Sequence, residues 1–353
     1  MRKNNLLIYR LGSLGDSIIA LPAFHGIRKT FPDARITLLT NKPIATKAAP
    51  VETVLGKGYF FDDVLDYPVG TRHPFVLFKL IGKLRARSFD SVFNLAEYRS
   101  DKVTFRDWGF FRIAGIRHFY GFHLLPKDKT PRPDLVTGQV EWEASRIARR
   151  VEPVAKVNLD DSEFWNLRLT TDELHEADNL LSPIAMPHKV IAFSIGTKVQ
   201  AKQWGIEKWT ELLGLLSLQL PEWTAVLLGS SEEMKESAAC LNVWSGPSLN
   251  LCGTCSPRVS AAILKRCKVF IGHDSGPMHL AACVGTPCVA IFSARNLPRQ
   301  WFPRGSRNQI IYNKTNCAGC GLEECLVEKK KCLVGIGVEQ VQRVVISMLN
   351  NLS

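Results

Sequence analysis

The sequence predicts an α/β protein made of two doubly wound domains, and three observations carry that expectation. Short apolar runs alternate with amphipathic stretches along nearly the whole chain. Polar, glycine-bearing corners follow several of the apolar runs directly. The alternation breaks once, in an acid-rich stretch, and then restarts. Strands that alternate with helices imply parallel sheets with right-handed crossovers. A length of 353 residues leaves room for two cores of ordinary size.

The first domain opens with the strand LLIYR, the turn LGSLGD and the helical stretch SIIALPAFHGIRKTFP, followed by the strand ARITLLT. DDVLDYPV, FVLFKLIGKLRARSF and DSVFNLAE repeat the order strand, amphipathic helix, strand. RDWGFFRIAGIRHFYGF reads as a helix running into a strand, and EWEASRIARRVEP as a closing basic helix. Residues 152–178 are acid-rich and weakly periodic, which suggests the inter-domain connection with an edge element. From residue 189 the alternation restarts: KVIAFSIG, EKWTELLGLLSLQL, WTAVLLG, SEEMKESAACL, LNLCG, SPRVSAAILKRC, KVFIG, PMHLAACVG and PCVAIFS. The tail GVEQVQRVVISMLNNL has the pattern of an amphipathic helix. Such sheets bind ligands outside the carboxyl ends of their strands, and two in tandem leave a cleft between those ends.

Composition narrows the function. With 46% hydrophobic and 22% charged residues the chain reads as globular. No apolar run approaches the roughly 20 residues of a spanning helix. The N-terminus lacks a long apolar region and a small-residue cleavage site, so a cytoplasmic location is expected. The net charge of +12 is uneven, with a balance of +11 in residues 1–150 and +1 in the remainder. That asymmetry points to an anionic partner or to a solvated basic face. No recognition-helix or RRM-type signature supports nucleic acid. Among the ten cysteines, six are scattered, several in apolar contexts that suit small core residues.

Three corners carry chemistry. In LGSLGD, Gly12 and Gly15 let the backbone turn sharply, and Asp16 stands at the mouth of the first helix as cap or proton acceptor. After KVIAFSIG, the small residue Thr197 lies beside Lys198 and Lys202, a pattern for an anion or for an ordinary solvated loop. In HDSGPMHLAA, Gly276 and Pro277 suit a helix start, where free N–H groups bind phosphate. Ser275 adds a hydroxyl and His279 a first-turn imidazole; Asp274 suits a ligand hydroxyl or the loop itself.

These motifs bring a resemblance. RLGSLGD, AGIRHFYGF, AKQW after GTK and RCKVFIGHDSGPMHLAACVGTPCVAIFS resemble glycosyltransferase family 9, the ADP-heptose:lipopolysaccharide heptosyltransferases and relatives, along nearly the whole chain. The resemblance implies a GT-B fold: an acceptor-binding Rossmann-like domain over 1–170, a donor domain over 171–335, and a C-terminal helix, 336–353, packing back on the first. It implies an inverting transfer in which Asp16 is the general base and Lys202 meets the donor diphosphate, with Thr197 and Lys198 nearby. Asp274, Ser275, Gly276 and His279 match the donor turn. Glu233 matches the acid on the nucleotide ribose, with Glu232 as its competitor. The implied partners are a nucleotide-sugar donor, an anionic glycolipid or glycan acceptor and the inner face of the inner membrane. The donor could be ADP-heptose or another nucleotide sugar, and the acceptor a protein.

No catalytic metal is expected, in agreement with the absence of an Asp-x-Asp pair. Cys317, Cys320, Cys325 and Cys332 form a C-x2-C-x4-C-x6-C array that suits a structural zinc or iron. Trp301 and the arginines of SARNLPRQWFPRG fit either an anion clamp or a surface loop. A GT-B epimerase or phosphorylase and a nucleic-acid-binding protein are the rival readings.

Overall fold

The computed structural model describes residues 4–42, 49–122, 131–184, 186 and 188–352. The chain divides into two compact units, Met1–Arg168 and Leu169–Ser353.

The first unit holds a parallel sheet of β1 (Asn5–Tyr9), β2 (Arg35–Lys42), β3 (Asp63–Pro68), β4 (Ser91–Asn94) and β5 (His118–Tyr120), in the order β3-β2-β1-β4-β5. Its helices are α1 (Leu14–Thr30), α2 (Val51–Leu55), α3 (Pro74–Arg87), α4 (Asp101–Ile113) and α5 (Glu143–Arg149). Strands β1 and β4 are buried on both faces, which is why they read as continuous apolar runs. Helix α1 is buried from Ser17 to Ile27 and packs beside α2 and α5. Leu80, Leu84 and Phe111, from α3 and α4, close a core with Leu7, Tyr9 and Val92.

The acid-rich stretch is more ordered than a connection. Its first part belongs to the first unit: Trp165 is buried, stacks on Trp142 at 5.3 Å, and donates from Nε1 to the Leu159 carbonyl. Residues 171–181 form a helix, α6 (Thr171–Leu181), opened by a capping box in which the Thr170 N–H and hydroxyl pair with Glu173. That T-x-x-E signature was legible in the sequence.

The second unit repeats the architecture with β6 (Val190–Ser194), β7 (Thr224–Leu227), β8 (Ser248–Asn250), β9 (Val269–His273), β10 (Cys288–Phe292) and β11 (Gln309–Tyr312). All pairings are parallel, in the order β11-β10-β9-β6-β7-β8. The helices are α7 (Ile206–Gln219), α8 (Met234–Leu241), α9 (Pro257–Arg266), α10 (Gly276–Cys283), α11 (Lys331–Val334) and α12 (Val338–Asn351). The apolar face of α12 is buried in the second unit's core, where Val341, Val345 and Leu349 join Leu212 and Leu216 of α7. Of the scattered cysteines, Cys240, Cys252, Cys267, Cys283 and Cys288 are buried. Burial pushes the Cys267 and Cys283 thiols up to about 12, leaving them protonated packing groups.

Helices α6 and α9 are joined by Arg258, whose Nε and Nη2 donate to the two Glu173 oxygens at 2.6 and 3.0 Å. Burial alone would raise the Glu173 pKa, but the Arg258 fork and the Thr170 N–H outweigh it, and the carboxyl titrates below its ordinary range. A depressed carboxylate contributes stability above its unfolded pKa and loses it as pH falls through the folded pKa. Glu173→Gln is therefore expected to lower stability by about 1 kcal/mol at neutral pH, allowing for solvent screening. The difference from wild type should vanish at acidic pH, and urea melts at neutral and acidic pH check both halves.

Candidate active site

In both sheets the connections leave in opposite directions on either side of one strand pair: β1 and β4 in the first unit, β6 and β9 in the second. Ligands bind beyond the carboxyl ends of strands at such a switch point. All three chemistry-bearing corners fall there, one after β1 and the others after β6 and β9.

In the first unit, the loop after β1 places Asp16 in the first turn of α1, with Ser13 as the N-cap. Asp16 is therefore the third residue of the helix and not its cap. Its Oδ2 accepts the Ser13 N–H at 2.7 Å and the Ser13 hydroxyl at 2.9 Å. Its Oδ1 lies 3.8 Å from the Arg10 guanidinium. Gly12 has φ +119°, and a Cβ there would stand 2.7 Å from the Asp16 side chain, so only glycine fits. Gly15, expected in the turn, is already inside the helix. A pocket beside Asp16 is lined by Tyr9, Gly12, Glu97, Arg99 and Arg106 from the ends of β1 and β4 and the start of α4.

Arg10 was missed in the sequence, where it reads as the polar end of a strand. It is 1% exposed and donates to the carbonyls of Leu95 and Asp16, tying the β4 loop to the base of α1. Burial lowers its pKa, while Asp16, Glu143 and Glu97 pull it back up. Glu97 in turn titrates high, because burial and the neighbouring Asp16 and Glu143 charges disfavour its ionised form. The closing basic helix is also not solvated: Arg146 and Glu143 form a buried pair, and Arg150 donates to the Asn94 and Ala96 carbonyls.

In the second unit, Lys202 and Asp274 join the loops after β6 and β9. The Lys202 Nζ lies 2.7 Å from Asp274 Oδ2 and donates to the Asp274 carbonyl at 3.1 Å. Asn296 Nδ2 donates to the same Oδ2 at 3.2 Å. Asp274 is 3% exposed, so its first partner is the lysine rather than open solvent. His273, the last residue of β9, is fully buried and accepts the Trp204 N–H on Nε2 at 3.0 Å. Burial pulls its pKa down to about 4, so it stays neutral and positions the loop that carries Lys202. Like Asn296, it had no signal in the sequence beyond its place beside the corner.

Ser275 is the N-cap of α10, and its hydroxyl is buried without a hydrogen-bond partner among the described residues. Gly276 begins the helix. His279 is buried, and Trp301 meets its ring edge-on with centroids 6.2 Å apart, which draws the SARNLPRQWFPRG loop to this corner. Thr197 is buried and Lys198 exposed. Of the two acids after β7, Glu232 is exposed, whereas Glu233 turns inward beside the β6 loop. A Cβ at Gly196 would stand 2.0 Å from the Glu233 Cδ, and one at Gly229 2.1 Å from its Oε2. Two glycines thus cradle this carboxylate.

The profile of glycosyltransferase family 9 (heptosyltransferase) matches residues 77–331. The chain belongs to this family. It is therefore a glycosyltransferase, and its fold is of the GT-B class. A lipopolysaccharide heptosyltransferase 3 of Escherichia coli is 23% identical over 298 residues, covering 79% of this chain and 81% of that protein. A lipooligosaccharide heptosyltransferase 2 of Campylobacter jejuni is 26% identical over 102 residues, which span 29% of this chain and 32% of that protein. The crystal structure of a family 9 glycosyltransferase from Veillonella parvula superposes with a TM-score of 0.72 at 18% identity, covering 99% of this chain and 98% of that one.

The family 9 chain gathers its four clustered cysteines only in part. Cys317 and Cys325 lie close enough to Cys332 to raise its pKa further after burial has done most of the work. The Lys330 N–H donates to Cys325 Sγ at 3.3 Å. Cys320 is exposed. Among the described residues no group of three or more His, Cys, Asp or Glu is placed to hold a metal ion.

Proposed function

We propose that the protein transfers heptose from ADP-heptose to a lipopolysaccharide core acceptor, with inversion at the anomeric carbon. The observation that carries the reading is the pair of switch-point corners. One presents a carboxylate held by a helix N-terminus, and the other a lysine, an orphan hydroxyl and a helix N-terminus. The acceptor hydroxyl binds beside Asp16, whose carboxylate takes its proton as the oxygen attacks. Ser13 and Arg10 hold that carboxylate in one orientation. As the glycosidic C–O bond breaks, charge gathers on the departing diphosphate. Lys202, the Ser275 hydroxyl and the free N–H groups of α10 stabilise it, and Thr197 and Lys198 flank it. Glu233 holds the nucleotide ribose. His279, beside Trp301, completes the donor wall.

This charge set supplies what a divalent ion would otherwise supply, so the reaction is assigned no catalytic metal. A structural zinc or iron at Cys317, Cys320, Cys325 and Cys332 is part of the proposal. The four thiols are the right donor set, but the exposed Cys320 must turn inward to close it. Elemental analysis of protein purified under reducing conditions, without chelators, is expected to find about one such ion per chain. Changing Cys317 and Cys320 to Ser should remove it, and metal-free wild-type protein contradicts this part.

The donor is tested by thermal shift against a panel of nucleotide sugars. ADP-heptose is expected to raise the melting temperature most, because a ligand that binds only the folded state stabilises it. An equal or larger shift with a different base or sugar would move the donor assignment while leaving the family intact. The acceptor is read as a membrane-borne anionic glycolipid met at the inner face of the inner membrane by a cytoplasmic enzyme.

A further inference from the structure

Helix α3 has two faces of opposite character. Leu80 and Leu84 are buried in the first unit's core. Phe75, Phe78, Lys79 and Lys83, at helical spacing, form an outward stripe in which the two phenyl rings are 71% and 78% exposed. Residues 70–89 hold five Lys or Arg and no Asp or Glu. Helix α4 lies beside α3, with the Arg85 guanidinium donating to the Ile113 carbonyl, and presents a third exposed ring, Phe105. Both helices start at the carboxyl end of the sheet, where the pocket beside Asp16 opens.

Two exposed rings on one helix turn are not explained by packing within the described residues. Their cations, with no acid among them, select the occupant. Aromatic side chains enter the boundary between headgroups and acyl chains, and exposed lysines beside them are drawn to anionic headgroups. A protein groove accepting the rings would have no need of this uniform charge. We infer that the Phe75, Phe78, Lys79 and Lys83 face of α3 is a docking surface for an anionic lipid membrane. It presents the acceptor pocket of the first unit to the membrane in which a glycolipid acceptor resides. The inference rests on the reading of a membrane-borne acceptor and gives that reading a surface.

The test is sedimentation of the full chain with phosphatidylcholine vesicles, with and without phosphatidylglycerol, at low and high salt. Wild-type protein is expected to sediment with the anionic vesicles at low salt and to be released as salt screens the lysines. The double variant Phe75→Ser with Phe78→Ser, and separately Lys79→Glu with Lys83→Glu, should each weaken partitioning about tenfold or more. Both should melt like wild type, because the changed side chains are exposed, and nucleotide-sugar binding should be unaltered. Wild-type protein that ignores anionic vesicles, or binds neutral ones equally at all salt concentrations, overturns the inference. So do variants that partition like wild type. Transfer to an acceptor free in solution is read separately: its failure removes the proposed reaction without touching the vesicle result.

Discussion

Asp16→Asn is expected to lower sugar transfer by roughly 10²–10⁴-fold, the usual loss when a general base is removed. The protein should remain folded. Asparagine keeps an oxygen for the Ser13 N–H, which Asp16 now accepts at 2.7 Å. What disappears is the charge and the proton acceptor. Arg10, buried behind it, keeps its two carbonyl partners and the field of Glu143 and Glu97. The stability loss should therefore stay near the ~1 kcal/mol typical of a damaged helix cap. Donor affinity should hardly move, since the proposed donor groups lie in the second unit, so the loss appears in kcat rather than in donor KM. Ser13→Ala is the control: it weakens the same helix start while leaving the carboxylate in place, and should cost stability without a comparable loss of rate. Transfer by Asp16→Asn at near-normal rate would move the base elsewhere.

Lys202→Ala should be broader in its effects. Its ammonium neutralises Asp274 at 2.7 Å, and Asp274 is almost wholly buried. Removing one member of a buried pair leaves an uncompensated charge, at a cost of about 3 kcal/mol or more. The melting temperature should therefore fall together with activity. Donor affinity should drop by about 10- to 100-fold, as expected for a lost charged hydrogen bond. Adding Asp274→Asn separates the two effects, because it removes the orphaned carboxylate but restores no cation. The double variant should regain most of the stability and none of the donor affinity. Recovery of donor binding in the double variant would mean that Lys202 serves only to neutralise Asp274.

The positions that the sequence made legible are those where residue type and local order together imply geometry. The strand–glycine–acid order at residues 6–16 and the strand–Ser–Gly–Pro order at 269–277 place their groups at strand ends, and the structure puts both at switch points. Helix α6 was also readable, through Thr170 and Glu173, but acid-rich composition obscured the capping box. What could not be read are contacts across the fold. Nothing local marks Arg10 as buried or His273 as neutral, because burial depends on strands far apart in sequence. Glu233 and Glu232 are equivalent in the sequence, and only the backbone of Gly196 and Gly229 separates them. The amphipathic tail announced a helix but not its partner, since an apolar stripe fits any apolar groove, and α7 supplies one.

The central claim, inverting transfer from ADP-heptose, is tested most directly by one reaction analysed by NMR. The purified protein is mixed with ADP-heptose and a lipopolysaccharide core acceptor lacking that heptose, and both ADP and the new glycosidic bond are followed. The account predicts one ADP released per sugar transferred, only when acceptor is present, with the anomeric configuration of the product opposite to that of the donor. A product with retained configuration, or no transfer while the folded protein binds the donor, would contradict it.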